Sequence, residues 1–365
     1  MDACAARPPA ARTVAAHRRV DPFAWALLAL AVLTLALTAW GVGGSMSEYY
    51  ASIALSMSKS WPNFFFGAVD PAGTVTLDKI PGSFWIPALS ARLFCFSPAA
   101  VILPNALAAA AATVITAITA RRWAGRTAGI VAGLVVATTP ILVAVARSNQ
   151  PETFFVLALA LTAWAATKAL ERRSLGWLVL AGVFIAAGFQ TYMLESWAVW
   201  PALAAAYLCT RQSWPRRLAH VAIAGATSLV LSLGWIIVVA LIPASQRPYI
   251  GSTLSNGPWE MVFGYNGLGR FGSSTADGDA YRSFTPLALL IGAAFAAARR
   301  SGALWAQLAL PIAAALSALG ISIGLALGAG GTACIRCPPP SCSASWPPWR
   351  RRSSCGSDAA GDGCR

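Results

Sequence analysis

Glu48, Lys59, Asp70, Asp78 and Lys79 fall within one stretch, SEYYASIALSMSKSWPNFFFGAVDPAGTVTLDKIPGSFW, residues 47–85, of a chain in which only 11% of residues are charged. A carboxylate within hydrogen-bond reach of a hydroxyl can take its proton. A cation beside it can meet the negative charge that grows on a departing phosphate. Three further segments carry similar groups. ARSNQPETFF holds Arg147, Asn149 and Glu152, and QTYMLESW holds Glu195. PASQRPYIGSTLSNGPWEMVFGYNGLGRFG, residues 243–272, holds Arg247, Tyr249, Asn266 and Arg270. Arginine suits phosphate through its forked donors. Each segment also has a plainer reading. Asp78 and Lys79 can pair locally. Asn149 and Glu152 have the spacing of a capping box. Glu195 fits an interface residue as well as a pocket wall. GYNGLGRFG follows no βα unit and is not a dinucleotide fingerprint.

The elements that must position these groups are membrane helices. The chain has 365 residues, of which 57% are hydrophobic, a surplus of apolar surface with no water-soluble solution. Apolar windows of about 20 residues are expected near 23–43, 99–119, 127–146, 152–170, 175–191, 195–209, 218–242, 284–298 and 303–328. Alternating ten-residue segments, the mark of a membrane β-barrel, are missing. The fold class is therefore an all-α integral membrane protein, a polytopic helical bundle.

The formal net charge is +14, which fits basic cytoplasmic loops better than a nucleic-acid partner. With the N-terminus in the cytoplasm, each predicted inner connection is basic: Arg121, Arg122 and Arg126; Lys168, Arg172 and Arg173; Arg211, Arg216 and Arg217; Arg299 and Arg300. Glu48, Asp70, Asp78, Glu152, Glu195, Glu260, Asp277 and Asp279 all land outside, against only Asp2, Asp21 and Glu171 inside. Acids contribute little to topology, so the bias points to a site on the outer face; acids filling places closed to Lys and Arg is the bland alternative. Two outer loops, near 44–98 and 243–283, are long enough to carry function.

The expected organisation is a basic cytoplasmic segment over 1–22, a membrane domain over 23–328 and a low-complexity tail over 329–365. The first apolar run lacks a clear cleavage site and reads as a retained helix. The tail gathers Cys334, Cys337, Cys342, Cys355 and Cys364 with Pro, Ser and Arg. Its ligand pairing is incomplete for zinc. The tail reads as disordered or as the out-of-frame end of a truncated gene. In the first outer loop, Ile53, Ala54, Met57 and Trp61 recur at helical spacing opposite Glu48, Ser52, Ser56 and Lys59. That predicts an amphipathic helix lying in the interface, anchored by Trp61, Phe64, Phe65 and Phe66. A turn at Pro71–Gly73, a short extended piece over 74–78 and a second interfacial segment ending near Phe94 follow.

Glu48-Tyr49-Tyr50, Asp78-Lys79-Ile80-Pro81 with Trp85, Arg147 to Glu152, Pro248-Tyr249 and Gly264 to Arg270, in this order, resemble the bacterial polyprenyl-phosphate-sugar glycosyltransferases of family 39. These are relatives of the lipid A aminoarabinose transferases and protein O-mannosyltransferases, with the GT-C fold. The nearest likeness is to the actinobacterial mannosyltransferase branch, over roughly residues 23–300. The resemblance implies inverting transfer of mannose or a related sugar from a polyprenyl-phosphate donor to an acceptor hydroxyl at the outer face of the cell membrane. It implies Glu48, Glu152 and Asp78 as catalytic acids, with Glu48 at the position of the general base. It implies Lys79, Tyr49, Tyr50, Arg147, Asn149, Glu195, Arg247, Tyr249, Asn266 and Arg270 around the substrates. Expected partners are the lipid-linked donor, a lipid, glycan or protein acceptor, and membrane lipids. No cofactor is certain, and a divalent metal is the one left open. The chain departs from its relatives in Ser47 before Glu48, in Glu rather than Asp at 152 and in Tyr192 where relatives carry Lys. A non-catalytic remnant and a transporter or flippase of lipid-linked sugar are the alternatives.

Overall fold

The computed structural model describes residues 21–43 and 46–267, all within the compact unit Met1–Arg282. The expected spans at 284–298 and 303–328, the tail, the N-terminal basic segment up to residue 20 and Arg270 lie outside the described residues. Among the described residues the architecture is all-α, with isolated β-bridges and no named strand. Five stretches are long and apolar enough to cross a membrane: Pro22–Ala39, Pro98–Thr138, Glu152–Arg172, Leu175–Leu208 and Trp214–Leu241.

Helix α1 (Pro22–Ala39) starts where Asp21 Oδ1 accepts from Phe23 N at 3.0 Å, with Pro22 in the first turn. A proline costs nothing there, because that N–H has no helical partner anyway. In the long connection that follows lie α2 (Glu48–Lys59), α3 (Trp61–Phe66) and α4 (Gly82–Leu93). Helix α5 (Pro98–Thr138) contains a sharp break at Ala124 and Gly125, where Gly125 has φ +85°. The break turns the chain between the two spans expected at 99–119 and 127–146, and Arg121, Arg122 and Arg126 surround it. On the return leg Gly129 faces Phe23 and the Ala117 carbonyl, and Gly133 faces Leu30 and Ala117. A methyl group at either position would hold the legs apart. Small residues four apart allow this close packing where lipid supplies no hydrophobic drive. Thr34 and Thr113 add a hydroxyl–hydroxyl contact of 3.2 Å between α1 and α5.

The return leg is not one straight helix. Pro140 has no N–H for the ladder, so the helix stops at Thr139 and α6 (Pro140–Arg147) resumes. Helices α7 (Glu152–Arg172) and α8 (Leu175–Tyr192) form an antiparallel hairpin. The span expected over 195–209 departs further from expectation. Met193–Val199 is a 3₁₀ segment, and only α9 (Trp200–Leu208), nine residues long, is α-helical. Pro201 sits in the first turn of α9, where the missing N–H favours a start rather than a continuation. Helix α10 (Trp214–Leu241) closes the series, and Gly182 of α8 meets it at the Ala224 carbonyl.

The charges assigned to inner connections gather at one end. Asp21 pairs with Arg121 at 3.0 Å and with Arg126 at 3.4 Å, and Arg122 pairs with Glu171 at 2.6 Å. Arg173 donates to the Arg211 carbonyl. All are at least partly exposed, so each pair contributes about 0–1 kcal/mol.

This first long connection differs from a pair of helices lying flat on the membrane. Ile53, Met57, Leu77, Phe84 and Ala88 are buried together, so the apolar face of α2 packs on α4 and the extended piece. Two of the expected aromatic anchors turn inward as well. Phe66 joins the core with Ile80, Phe189 and Trp235, and Phe65 packs against it. Trp61 remains exposed, with the Arg92 guanidinium 4.2 Å from its ring. Spacing marks an apolar face but not whether lipid or protein covers it.

Gly82 opens α4 directly against the Gln190 backbone carbonyl of α8. Gly82→Ala is expected to force these helices apart and cost about 1–3 kcal/mol. A thermal melt of the detergent-solubilised protein checks this. An unchanged midpoint would mean that the contact has room to give.

Candidate functional site

The groups of interest collect at the end of the bundle opposite the arginine pairs, where α2 begins, α7 begins and α8 ends. The corner between α6 and α7 fixes this meeting. Asn149 is buried, in the left-handed region at φ +46°, and its Oδ1 accepts from Ser47 N at 3.1 Å. This is not the capping box that the spacing suggested. Pro151 precedes the first helical residue, Glu152, and the Asn149 side chain reaches across to the start of α2 instead. The contact places Glu48, the exposed first residue of α2, beside the corner that carries Glu152. Ser83 of α4 donates to the Thr191 carbonyl at 3.0 Å and is 3.3 Å from that of Pro151.

Glu152 is half-buried. Its Oε1 accepts from the Tyr192 hydroxyl at 3.2 Å, while Oε2 is buried with no hydrogen-bond partner. Asp78 repeats the pattern. Its Oδ2 pairs with Lys79 Nζ at 2.9 Å, and its Oδ1 is buried and unpartnered. Asn149 Nδ2 is a third such atom. Buried polar atoms without partners are rare and call for an explanation. Each costs on the order of 1–3 kcal/mol.

Tyr50 links the two acids. Burial, then the negative charges of Glu152 and Asp78, push its hydroxyl up to about 12. Its ring stacks on Phe84 with centroids 5.2 Å apart. Tyr49, in edge contact with Tyr50, is raised by burial, with Asp78 and Tyr265 contributing. Both phenols are held in their neutral, donating form at physiological pH.

The segment after α10 is fastened to the connection between α1 and α5. Thr76 N donates to the Tyr249 carbonyl and Tyr249 N to that of Thr74, both at 2.8 Å, in a parallel bridge. Gly251 N donates to Thr76 Oγ1 at 3.0 Å. Asn266 Nδ2 donates to the Asp78 carbonyl at 2.6 Å, which fixes the backbone of the Asp78–Lys79 pair.

Several expected site residues have work within the fold. Arg247 bonds the Ile242 carbonyl and both the side chain and carbonyl of Asn256, and it orders its own loop. Tyr249 donates to the Thr253 carbonyl. Arg147 donates to the Leu37 carbonyl at 3.0 Å, a cation at the C-terminal end of α1, where the helix dipole favours it. Asp70 accepts from the backbone and hydroxyl of Thr74, which places its oxygens in the turn. Glu195 lies exposed on the 3₁₀ segment. No group of three His, Cys, Asp or Glu residues with metal-holding geometry occurs among the described residues.

Tyr192 is the residue that sequence reading passed over as a donor. A signal was available, because the first residue of one helix in an antiparallel hairpin meets the last of the other. Glu152 opens α7 and Tyr192 closes α8.

The profile of the family described as dolichyl-phosphate-mannose-protein mannosyltransferase matches residues 78–238. Two Bacillus subtilis (strain 168) proteins carrying mannosyltransferase names are similar to this chain. YkcB is 36% identical over 235 residues, 64% of this chain and 33% of its own length. YycA is 35% identical over 237 residues, 64% of this chain and 35% of its own length. The chain thus matches about a third of each of these relatives. The matched segment includes Asp78, Lys79, Asn149, Glu152 and Tyr192.

Proposed function

We infer, from the match of residues 78–238 to the profile of the dolichyl-phosphate-mannose-protein mannosyltransferase family and from the acids at one end of the bundle, that this chain transfers a sugar from a polyprenyl-phosphate donor to an acceptor hydroxyl. The observation that carries this reading is the pair of half-satisfied carboxylates. Asp78 and Glu152 each hold one oxygen in a protein contact and leave the other buried without a donor. Sugar hydroxyls are the donors such oxygens need. The neutral Tyr49 and Tyr50 add an aromatic, hydrogen-bonding wall.

In this mechanism Glu48 takes the proton of the acceptor hydroxyl as its oxygen attacks the anomeric carbon. The bond from that carbon to the phosphate oxygen breaks on the opposite face, and the lipid phosphate leaves with the electron pair. Configuration inverts. The Lys79 ammonium, held by Asp78, stands against the growing charge on the phosphate. Glu152 Oε2 accepts from a hydroxyl of the bound sugar. The energy of lipid-linked sugars lies in the donor itself, so no nucleotide site is required. The reading places this end of the bundle on the outer face of the cell membrane, with the arginine-rich end inside.

Transfer of labelled mannose from polyprenyl-phosphate-mannose in membranes containing the full chain tests this function. Label moving to an acceptor above the level of membranes lacking the chain is the expected result. No transfer from mannose or from a panel of other lipid-phosphate sugars would overturn it.

A further inference from the structure

We propose that Tyr192 is a positioning residue for Glu152, holding one carboxylate oxygen so that the other is presented to substrate. The inference rests on the glycosyltransferase reading above and adds a residue that acts through another. The geometry is specific. Glu152 is the first residue of α7 and Tyr192 the last of α8, so the two meet where the antiparallel pair of helices ends. The Tyr192 ring is fixed by a stacked contact with Phe155, centroids 5.2 Å apart and planes 24° from parallel. From that fixed ring the hydroxyl reaches Glu152 Oε1 at 3.2 Å. Oε2 is left buried and unbonded on a carboxylate that also acts electrostatically on Tyr50.

A glutamate has three side-chain torsions, and an unrestrained one would turn its buried oxygen toward any available donor. Pinning one oxygen to a ring that is itself clamped removes that freedom. The same device orients ligands and bases elsewhere by a partner that never touches substrate. The second face of the corner is also held, by Ser83 against the Thr191 and Pro151 carbonyls. Tyr192 therefore fixes orientation more than it fixes the fold.

Tyr192→Phe keeps the stacked ring and removes only the hydroxyl. Sugar transfer is measured for the unmutated chain, Tyr192→Phe, Glu152→Gln and the double variant. Tyr192→Phe is expected to lower kcat about 3- to 10-fold, in line with the net contribution of one ordinary hydrogen bond, with at most a small fall in the thermal midpoint. In the Glu152→Gln background the same substitution is expected to change kcat by less than about twofold. Equal losses in both backgrounds would make Tyr192 a structural residue or a direct substrate contact and overturn the proposal. So would full activity in Tyr192→Phe while Glu152→Gln is impaired. Full activity in Glu152→Gln would remove Glu152 from the site, and with it the reason for Tyr192. Absence of transfer by the unmutated chain overturns the glycosyltransferase reading itself and the inference that rests on it.

Discussion

Glu48→Gln is expected to lower kcat for sugar transfer by roughly 10²- to 10⁴-fold, the range for loss of a general base, with little change in KM. The amide keeps the shape and length of the side chain but cannot accept the acceptor's proton. Glu48 suits this role by position. It lies at the exposed start of α2, where a substrate hydroxyl can approach, and the Ser47–Asn149 bond fixes that helix start against the α6–α7 corner. It forms no ion pair among the described residues, so removing its charge leaves no cation stranded, and the thermal midpoint is expected to hold. Initial rates at varied acceptor concentration, normalised to protein in the membrane, measure both constants. A raised KM with unchanged kcat would make Glu48 a binding group only. Unchanged values for both would take it out of the reaction and leave the proton to another acid.

The fold was legible in the sequence wherever lipid alone decides the outcome. Apolar length set the five long stretches, and the basic clusters at 121–126, 168–173 and 211–217 mark the end where Asp21, Arg121, Arg122 and Glu171 meet. Helices α7 and α8 fall on the spans expected near 152–170 and 175–191. What was not legible depended on tertiary choice. The spacing of Ile53, Ala54 and Met57 is the same whether the face meets headgroups or Leu77 and Phe84. Arg247 reads as a phosphate or sugar ligand by type, and the structure adds that its donors also reach the Ile242 and Asn256 carbonyls and order the loop. Asn149 and Glu152 have capping-box spacing, but Pro151 between them shifts the helix start, and the asparagine serves α2 instead. The acids themselves were visible early. Their shared pattern, one oxygen held and one left open, exists only once α2, α4, α7 and α8 are assembled.

Glu152→Gln separates a functional acid from a structural one, because the two readings predict opposite changes in stability. A buried oxygen without a donor destabilises the folded state by about 1–3 kcal/mol, and a site that keeps such an atom is more stable when the charge is removed. In the variant, the amide oxygen can still accept from Tyr192 and the buried charge is gone, while the amide nitrogen that replaces Oε2 brings N–H donors whose own cost, if they find no acceptor, offsets part of that gain. The expected outcome is a thermal midpoint equal to or a few degrees above that of the unmutated chain. Transfer is expected to fall about 10- to 150-fold, the loss of one or more hydrogen bonds between a charged carboxylate and substrate. The two measurements are made on the same preparation. Lower activity with a lower midpoint would mean that Glu152 holds α7 to α8, and that its open oxygen is a cost of packing. Lower activity with a retained or raised midpoint would mean that the open oxygen is kept for the substrate. The same logic extends to Asp78, with one difference in sign. Asp78→Asn weakens the 2.9 Å pair with Lys79, so any relief at Oδ1 is offset by a half-buried ammonium that has lost its counterion. Glu152, which accepts from the Tyr192 hydroxyl rather than from a cation, is therefore the acid at which stability and activity part most clearly.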